Sequence, residues 1–150
     1  MQVTYADSNS IPELANLFDQ YRIFYEQETD IKGAIAFLNS RFKNKDSVIF
    51  IASENSGIVG FAQLYPSFSS VGMERIWILN DLFVSSNSRC QNIATKLMEA
   101  ARKHAEETGA LRVELATQVS NTLAQKLYAS LGYSKNESFY HYSLPILKTA

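Results

Sequence analysis

The stretch that decides the fold reads ILNDLFV over residues 78–84, SSNS over 85–88 and RCQNIATKLM over 89–98. Its first part is mostly apolar, which is typical of a central strand covered on both faces. The second part is a short polar turn, and the third has the composition of a helix start. Because a helix N-terminus presents free backbone N–H groups and a positive dipole end, the stretch favours binding of an anionic group.

Patterns on either side predict a mixed sheet with helices on both faces. We expect strands over 2–6, 47–52, 58–65, 74–84, 111–117 and 139–144, and helices over 11–26, 31–42, 92–107 and 120–131. Ser10 and Glu13 have the spacing of a capping box, and Gly109 and Gly132 follow helices as C-cap residues. The order β-α-α-β-β-β-α-β-α-β predicts an α/β fold (an α+β mixed sheet) and one domain over 1–150.

Composition limits the kinds of partner. The 150 residues are 46% hydrophobic and 19% charged, as in an ordinary soluble globular chain. Fourteen basic and fifteen acidic residues give a net charge of −1, so no overall basic field favours nucleic acid or a membrane. Cys90 is the single cysteine, so no internal disulfide and no metal site are expected. Without a long apolar run or a signal-peptide pattern, a cytoplasmic protein is expected.

Three motifs, in order, resemble those of the GNAT superfamily of N-acetyltransferases. RCQNIA over 89–94 is similar to the acyl-CoA-binding signature, in which Gln or Arg is followed, after two residues, by Gly-x-Gly or Gly-x-Ala. NTLAQKLYASLGY over 121–133 is similar to the second signature, which has Asn, Ala, Leu-Tyr and Leu-Gly-aromatic. DLFV over 81–84 is similar to the usual end of the central strand. The resemblance covers essentially the whole chain and implies a GNAT-like acyl-CoA N-acyltransferase fold.

The resemblance implies a binding site for acetyl-CoA as acyl donor. The residues it assigns to this site are Leu82, Phe83, Val84, Arg89, Cys90, Gln91, Asn92, Ile93, Ala94, Thr95, Asn121, Ala124 and Leu127. The backbone of Phe83 and Val84 is expected to pair with the pantetheine arm, because unpaired main-chain groups are costly. Cys90 and Asn92 stand where the family usually has glycines, and Asn is the non-glycine residue that best tolerates a positive φ. Asn121 could cap its helix, contact the pantetheine, or do both.

Tyr128 is the catalytic residue that the resemblance implies. A tyrosine hydroxyl with a pKa near ~10 can donate a proton to the departing thiolate. Simple packing on a helix face is the alternative for this residue. Asn80 occupies a place where several relatives carry glutamate, and it cannot act as a base. Strand alternation should turn Asp81 to the opposite face from Asn80, and no base is assigned.

The prediction of the acceptor site is based on aromatic and acidic residues. The predicted substrate residues are Tyr21, Tyr25, Glu26, Glu28 and Asn80, because π faces and carboxylates suit an amine. A packing stripe followed by a polar loop is the alternative. The resemblance implies direct transfer of an acetyl group to a primary amine of a polyamine, an amino acid or a lysine-bearing protein tail. Because the usual glycines and the usual glutamate are missing, the alternative hypothesis is a non-catalytic CoA sensor with the same fold.

The last predicted strand bears on assembly. Its sequence, FYHYSL over 139–144, is aromatic on both faces, and an exposed edge of that kind invites pairing with another chain. A homodimer is therefore expected.

Overall fold

Within the described residues of the computed structural model, five strands form one mixed sheet, and the chain also has four α-helices. The structure describes residues 1–89 and 92–148. The strands are β1 (Gln2–Tyr5), β2 (Val48–Glu54), β3 (Gly57–Ser69), β4 (Glu74–Val84) and β5 (Val113–Glu114). The helices are α1 (Ile11–Phe24), α2 (Ile31–Asn44), α3 (Ile93–Glu107) and α4 (Thr122–Ser130), with 3-10 turns at Ser8–Ser10 and Ser86–Ser88. The predicted α/β fold is confirmed.

The sheet order follows the chain, β1-β2-β3-β4-β5. The first four strands run antiparallel to their neighbours, and β5 runs parallel to β4. A parallel pair needs a long crossover, and α3 supplies it between β4 and β5. The loop at the end of β4 therefore leads directly into a helix that packs back on the sheet.

The two faces of the sheet carry separate apolar clusters. Helices α1 and α2 cover one face, where their buried side chains meet those of β2, β3 and β4: Leu14, Leu17, Phe18, Leu38, Ile51, Phe61 and Phe83. Helix α3 covers the other face, with Ile93, Leu97, Ala101 and Ala105 against Phe50, Ala62, Leu64, Trp77 and Leu79. Burial of these side chains holds both helical layers on the sheet and fixes the positions of the end of β4 and the start of α3.

The predicted capping box at Ser10 and Glu13 is wrong. Asp7 and Ser10 form a capping box one turn earlier, around the 3-10 turn, and the Ser10 side chain makes no cap bond to α1. The Glu13 carboxylate instead accepts a hydrogen bond from the Ile58 backbone N–H at 2.9 Å. Glu13 therefore pairs with a backbone group 45 residues away instead of with the start of its own helix.

The chain divides into two compact units, Met1–Ala116 and a smaller unit from Thr117 onward. The predicted strand over 111–117 is reduced to Val113–Glu114. In the smaller unit, α4 is followed by a positive φ at Gly132, as predicted. The predicted strand over 139–144 is wrong: residues 134–148 form no helix or strand, because the described part of the chain supplies them with no strand partner. Within the described residues no helix is long and apolar enough to cross a membrane.

Candidate functional site

The turn that follows β4 is fastened by hydrogen bonds to neighbouring strands. The Ser85 backbone N–H donates to the Val59 carbonyl of β3 at 2.8 Å. The Ser88 N–H donates back to the Ser85 carbonyl at 3.0 Å, and the Ser88 hydroxyl donates to the Glu54 carboxylate at 3.3 Å. These bonds close a tight turn and fix the point at which the chain leaves the sheet.

Asn92 begins α3 in the left-handed conformation, with φ 60° and ψ 20°. Asn92 thus adopts the positive φ that asparagine tolerates better than other non-glycine residues. Its carbonyl accepts the Lys96 N–H at 3.1 Å, while its side chain makes no capping bond. Cys90 and Gln91, two of the predicted donor-site residues, lie outside the described residues.

The first turn of α3 is anchored on its inner side. Ile93 is buried among the side chains that join α3 to the sheet, and Ala94 and Thr95 are half-buried. Gly60 of β3 allows this close approach, because an added Cβ would lie 3.2 Å from Ile93 Cγ2. Since Asn92 does not cap the first-turn N–H groups, they can bind an anion at the positive end of the helix.

One edge of β4 directs main-chain groups away from β3. The bond from Ser85 N–H to the Val59 carbonyl makes Gly60 and Val84 a non-hydrogen-bonded pair, so the N–H and C=O of Val84 face the other edge. On that edge, the ladder with β5 stops at Ile78. Within the described residues up to 116, no strand pairs with β4 beyond that point.

The same alternation corrects the expected role of Phe83. Leu82 faces the open edge like Val84, whereas Phe83 pairs with Phe61 toward β3. The Phe83 side chain is buried under α1. Leu82 and Val84, and not Phe83, therefore offer main-chain groups at the open edge.

Arg89 covers part of that edge. Its Nε donates to the Val84 carbonyl at 3.1 Å. Its guanidinium lies 5.9 Å from the Phe24 ring centroid and 5.6 Å from that of Phe83, within the range of a cation–π contact. Arg89 thus places a positive charge between the β4 edge and the loop before α3.

On the α1 side of the sheet, the Asp81 carboxylate is the centre of a polar cluster. The Tyr21 hydroxyl donates to its Oδ1 at 2.8 Å and the Asn80 amide donates to the same oxygen at 3.0 Å. The Gln63 Nε2 donates to its Oδ2 at 2.6 Å. Asp81 and Gln63 are buried, whereas Asn80 is exposed. The cluster therefore reaches from the core to the surface.

A β-bulge at Asn80 produces this arrangement. Gln63 of β3 pairs with Asp81, but the next residue, Leu64, pairs with Leu79, which leaves Asn80 as the extra residue of β4. Leu79 therefore faces α3 while Asp81 faces α1. The expectation that alternation separates Asn80 from Asp81 is wrong, because the bulge lets their side chains hydrogen-bond.

Three aromatic rings pack against the Tyr21 ring. The Tyr21 ring is edge-to-face with Tyr25 at 5.2 Å, with Phe61 at 5.5 Å and with Phe83 at 5.7 Å between centroids. Burial, and then the neighbouring Asp81 carboxylate, raise the pKa of Tyr21 far above its ordinary value. Tyr21 is therefore a hydrogen-bond donor at any working pH and cannot serve as a general base.

Tyr65 extends the cluster along β3. Burial first, and then the negative charge of Asp81, raise the pKa of its hydroxyl to about 12. Gln63 and Tyr65 were not among the predicted site residues. The one available signal was Gln63 itself, a polar residue within the apolar run GIVGFAQLY of residues 57–65.

The two predicted acidic substrate residues are exposed. The Glu26 backbone has a positive φ of 64° just after α1, and the Glu28 carbonyl accepts a bond from Arg22 at 3.0 Å. Neither carboxylate hydrogen-bonds to Tyr21 or Asp81 within the described chain. Across the described residues, no group of three or more His, Cys, Asp or Glu side chains is placed to hold a metal.

The second motif lies on α4, in the smaller unit. The Asn121 side chain caps this helix by accepting the Ala124 N–H at 3.1 Å, as expected for one of its two roles. Tyr128, in the second turn, is half-buried, with its ring centroid 6.2 Å from that of Tyr133. Ala124 and Leu127 are half-buried on the same helix.

The sequence profile of the Acetyltransferase (GNAT) family matches residues 11–133, which include strands β2 to β5, the β4–α3 loop and α4. The chain belongs to this family of acetyltransferases. It is 44% identical over 146 residues to an uncharacterized N-acetyltransferase, YhfO, of Bacillus subtilis (strain 168), covering 97% of this chain and 98% of that protein. It is also 34% identical to a probable acetyltransferase of Haemophilus influenzae, over 77% of this chain and 82% of the relative.

Solved structures give the same fold. The crystal structure of a probable acetyltransferase has a TM-score of 0.92 and 39% identity, and the match covers 99% of this chain and 100% of that one. A predicted acetyltransferase from Clostridium acetobutylicum, solved with acetyl-CoA, has a TM-score of 0.76 at 19% identity, over 95% of each chain. The second likeness concerns the fold alone.

Proposed function

We propose that this protein transfers an acetyl group from acetyl-CoA directly to a primary amine. The acceptor is a small molecule of the polyamine or amino acid type, or a lysine-bearing protein tail. The observation that carries this proposal is the open edge of β4 at Leu82 and Val84, directly before a helix start that Asn92 leaves uncapped. Such an edge suits an extended amide chain, and such a helix start suits a pyrophosphate.

The donor site combines main-chain groups with a positive charge. Leu82 and Val84 would pair with the amide groups of the pantetheine arm, while Arg89 would leave the Val84 carbonyl and add its charge to the phosphate side. The remaining proposed donor residues are Cys90, Gln91, Asn92, Ile93, Ala94, Thr95, Asn121, Ala124 and Leu127. Ala94 keeps the first turn of α3 narrow, which permits close approach of an anion.

The reaction joins the amine nitrogen to the acetyl carbonyl carbon and breaks the carbon–sulfur bond. Tyr128 donates its hydroxyl proton to the departing thiolate, and the amine loses a proton to solvent. Positioning of both reactants supplies much of the remaining rate enhancement. The support for Tyr128 is the motif of residues 121–133 that it shares with the family. One domain over 1–150 is part of the same proposal.

The acceptor side is proposed at Tyr21, Tyr25 and Asn80, with Glu26 and Glu28 at its exposed rim. A D-amino-acid N-acetyltransferase of Saccharomyces cerevisiae, HPA3, is 30% identical over 59% of this chain and 55% of its own length, which supports an amine acceptor. We place the reaction in the cytoplasm, where the thiol of a single cysteine stays reduced.

A CoA sensor remains the second candidate function. The contact that favours it is the bond from Arg89 to the Val84 carbonyl, which occupies a group that the donor needs. Thiol release from acetyl-CoA in the presence of polyamines, amino acids and lysine peptides separates the two functions. Binding of CoA with no release across that series favours the sensor.

The Tyr128→Phe variant tests the catalytic proposal. We expect steady-state thiol release to fall roughly a hundredfold, because a positioned proton donor commonly contributes that much. Binding of CoA, measured by titration calorimetry, should be unchanged since the ring is kept. Tyr140→Phe, an exposed tyrosine of the same unit, is the matched control. Wild-type turnover in Tyr128→Phe would remove Tyr128 from the mechanism.

A further inference from the structure

The Asp81 carboxylate is a buried group with no cationic partner. Only 5% of the residue is exposed, and none of the ion pairs among the described residues includes it. Burial of an ionised carboxylate is costly unless an opposite charge compensates it. Its present partners, Tyr21, Gln63 and Asn80, are all neutral donors. The cluster therefore lacks a positive charge.

Gln63 contributes a buried polar atom that also lacks a partner in the same cluster. The residue is fully buried, and its Nε2 is committed to Asp81 at 2.6 Å. Its Oε1 accepts no hydrogen bond from any described residue. Native proteins rarely leave a buried amide oxygen unpaired, so this oxygen indicates a missing N–H or O–H donor.

We infer that Asp81 and Gln63 bind an ammonium group of the acceptor. A carboxylate offers about four lone-pair positions, of which three are occupied here, and an amide oxygen offers two more. An ammonium group brings three N–H donors and the positive charge that Asp81 lacks. Asn80 is the exposed member of the cluster, so the ligand enters on its side.

This ammonium group is distinct from the amine that becomes acetylated. Attack on a thioester requires a neutral amine, whereas a carboxylate neighbour favours the protonated form. The inference rests on the proposed acetyl transfer and narrows its acceptor. The substrate class is a compound with two amino groups on one short chain, one held at Asp81 and the other acetylated.

Initial rates of thiol release with saturating acetyl-CoA test this inference on the wild-type protein. Diaminobutane and butylamine have the same chain length and differ in the second amino group. We expect kcat/KM for the diamine to exceed that for the monoamine by roughly tenfold to a hundredfold, the usual effect of one hydrogen-bonded charge pair.

The Asp81→Asn variant should abolish this preference by lowering kcat/KM for the diamine far more than kcat/KM for butylamine. Gln63→Met, which removes the unpaired oxygen, should reduce the preference as well. Glu99→Gln, an exposed carboxylate on α3, is the matched control and should keep it. If Asp81→Asn does not fold, as judged by circular dichroism, the wild-type comparison and Gln63→Met decide.

The possible results distinguish failure of this inference from failure of the proposed acetyl transfer. Equal kcat/KM for the diamine and the monoamine in the wild type overturns the inference and leaves acetyl transfer standing. A diamine preference that survives in both folded variants also overturns it, because the second amine is then held elsewhere. If neither of these amines, nor any amino acid or lysine peptide, causes thiol release from acetyl-CoA, the proposed function and the inference are overturned together.

Discussion

Asn92 holds a backbone conformation that usually belongs to glycine. Its φ of 60° lets the chain turn from the loop into α3, and the short polar side chain makes that conformation less costly than it is for most residues. The family pattern has glycine nearby because phosphate binding needs exposed backbone N–H groups. Asn92 preserves the turn without glycine.

The Asn92→Ala variant should lower the free energy of unfolding by about 1 kcal/mol, the typical cost of a left-handed conformation at a residue with a Cβ. Urea unfolding followed by circular dichroism measures this loss. Asn87→Ala, in the preceding turn and without a positive φ, is the control and should be nearly neutral. An equal loss in both variants would show that the left-handed turn is not what Asn92 contributes.

At the level of elements, the bulge in β4 determines which of its side chains face α1 and which face α3. Before it, Trp77 and Leu79 pack against α3, and after it, Asp81 and Phe83 face α1. One extra residue at Asn80 therefore moves a carboxylate from the face covered by α3 to the face covered by α1. Without the bulge, Asp81 would be buried among apolar side chains.

Asp19 joins α1 to the start of α2. Its buried carboxylate accepts the Thr29 hydroxyl at 2.6 Å and the Asp30 N–H at 2.7 Å, while Asp30 caps α2. The bond from the Asp30 backbone, followed by that from Thr29, lowers the pKa of Asp19. A lowered folded-state pKa means that this stabilisation is present above the ordinary value of about 4 and is lost as the pH falls below it.

The Asp19→Ala variant should lose about 1–3 kcal/mol of unfolding free energy at neutral pH, because two donors lose their partner. Its unfolding free energy should also fall less steeply than that of the wild type as the pH is lowered below about 4. Urea unfolding at a series of acidic pH values measures both effects. Glu99→Gln should keep the wild-type slope, and a wild-type slope in Asp19→Ala would contradict the role assigned to this carboxylate.

For the whole molecule, the residues after α4 bear on assembly. Residues 134–148 form no helix or strand, and Phe139, Tyr140, Tyr142 and Leu144 are exposed in the single chain. An extended apolar segment with unpaired backbone groups pairs readily with another chain. The homodimer expected from the sequence stays a prediction.

Light scattering should give a mass about twice the 16.9 kDa of one chain. Tyr142→Glu should shift the mass toward the monomer, because a charge disfavours burial of this segment. Leu123→Glu, at a similarly exposed apolar position on α4, should leave the mass unchanged. A monomeric wild type at micromolar concentration would rule out the dimer.

The features of this structure that depend on interactions between sequence neighbours could be predicted from the sequence alone. The order of elements from β1 to α4, the tolerance of a positive φ at Asn92 and the cap at Asn121 depend largely on residues close in sequence, and the structure agrees with each. The last strand of the predicted order, over 139–144, does not form in the described residues. The motifs around Asn92 and Asn121 also identified the family.

Only the tertiary structure decided the polar cluster around Asp81. Asp81 hydrogen-bonds to Gln63 and Tyr21, which lie 18 and 60 residues away in the sequence. A β-bulge that no local sequence pattern predicts brings these side chains together. The same holds for Glu13, which caps a strand 45 residues away, and for residues 139–144, whose strand requires a partner. Propensity and capping act between sequence neighbours, whereas register and polar pairing depend on which distant segments meet.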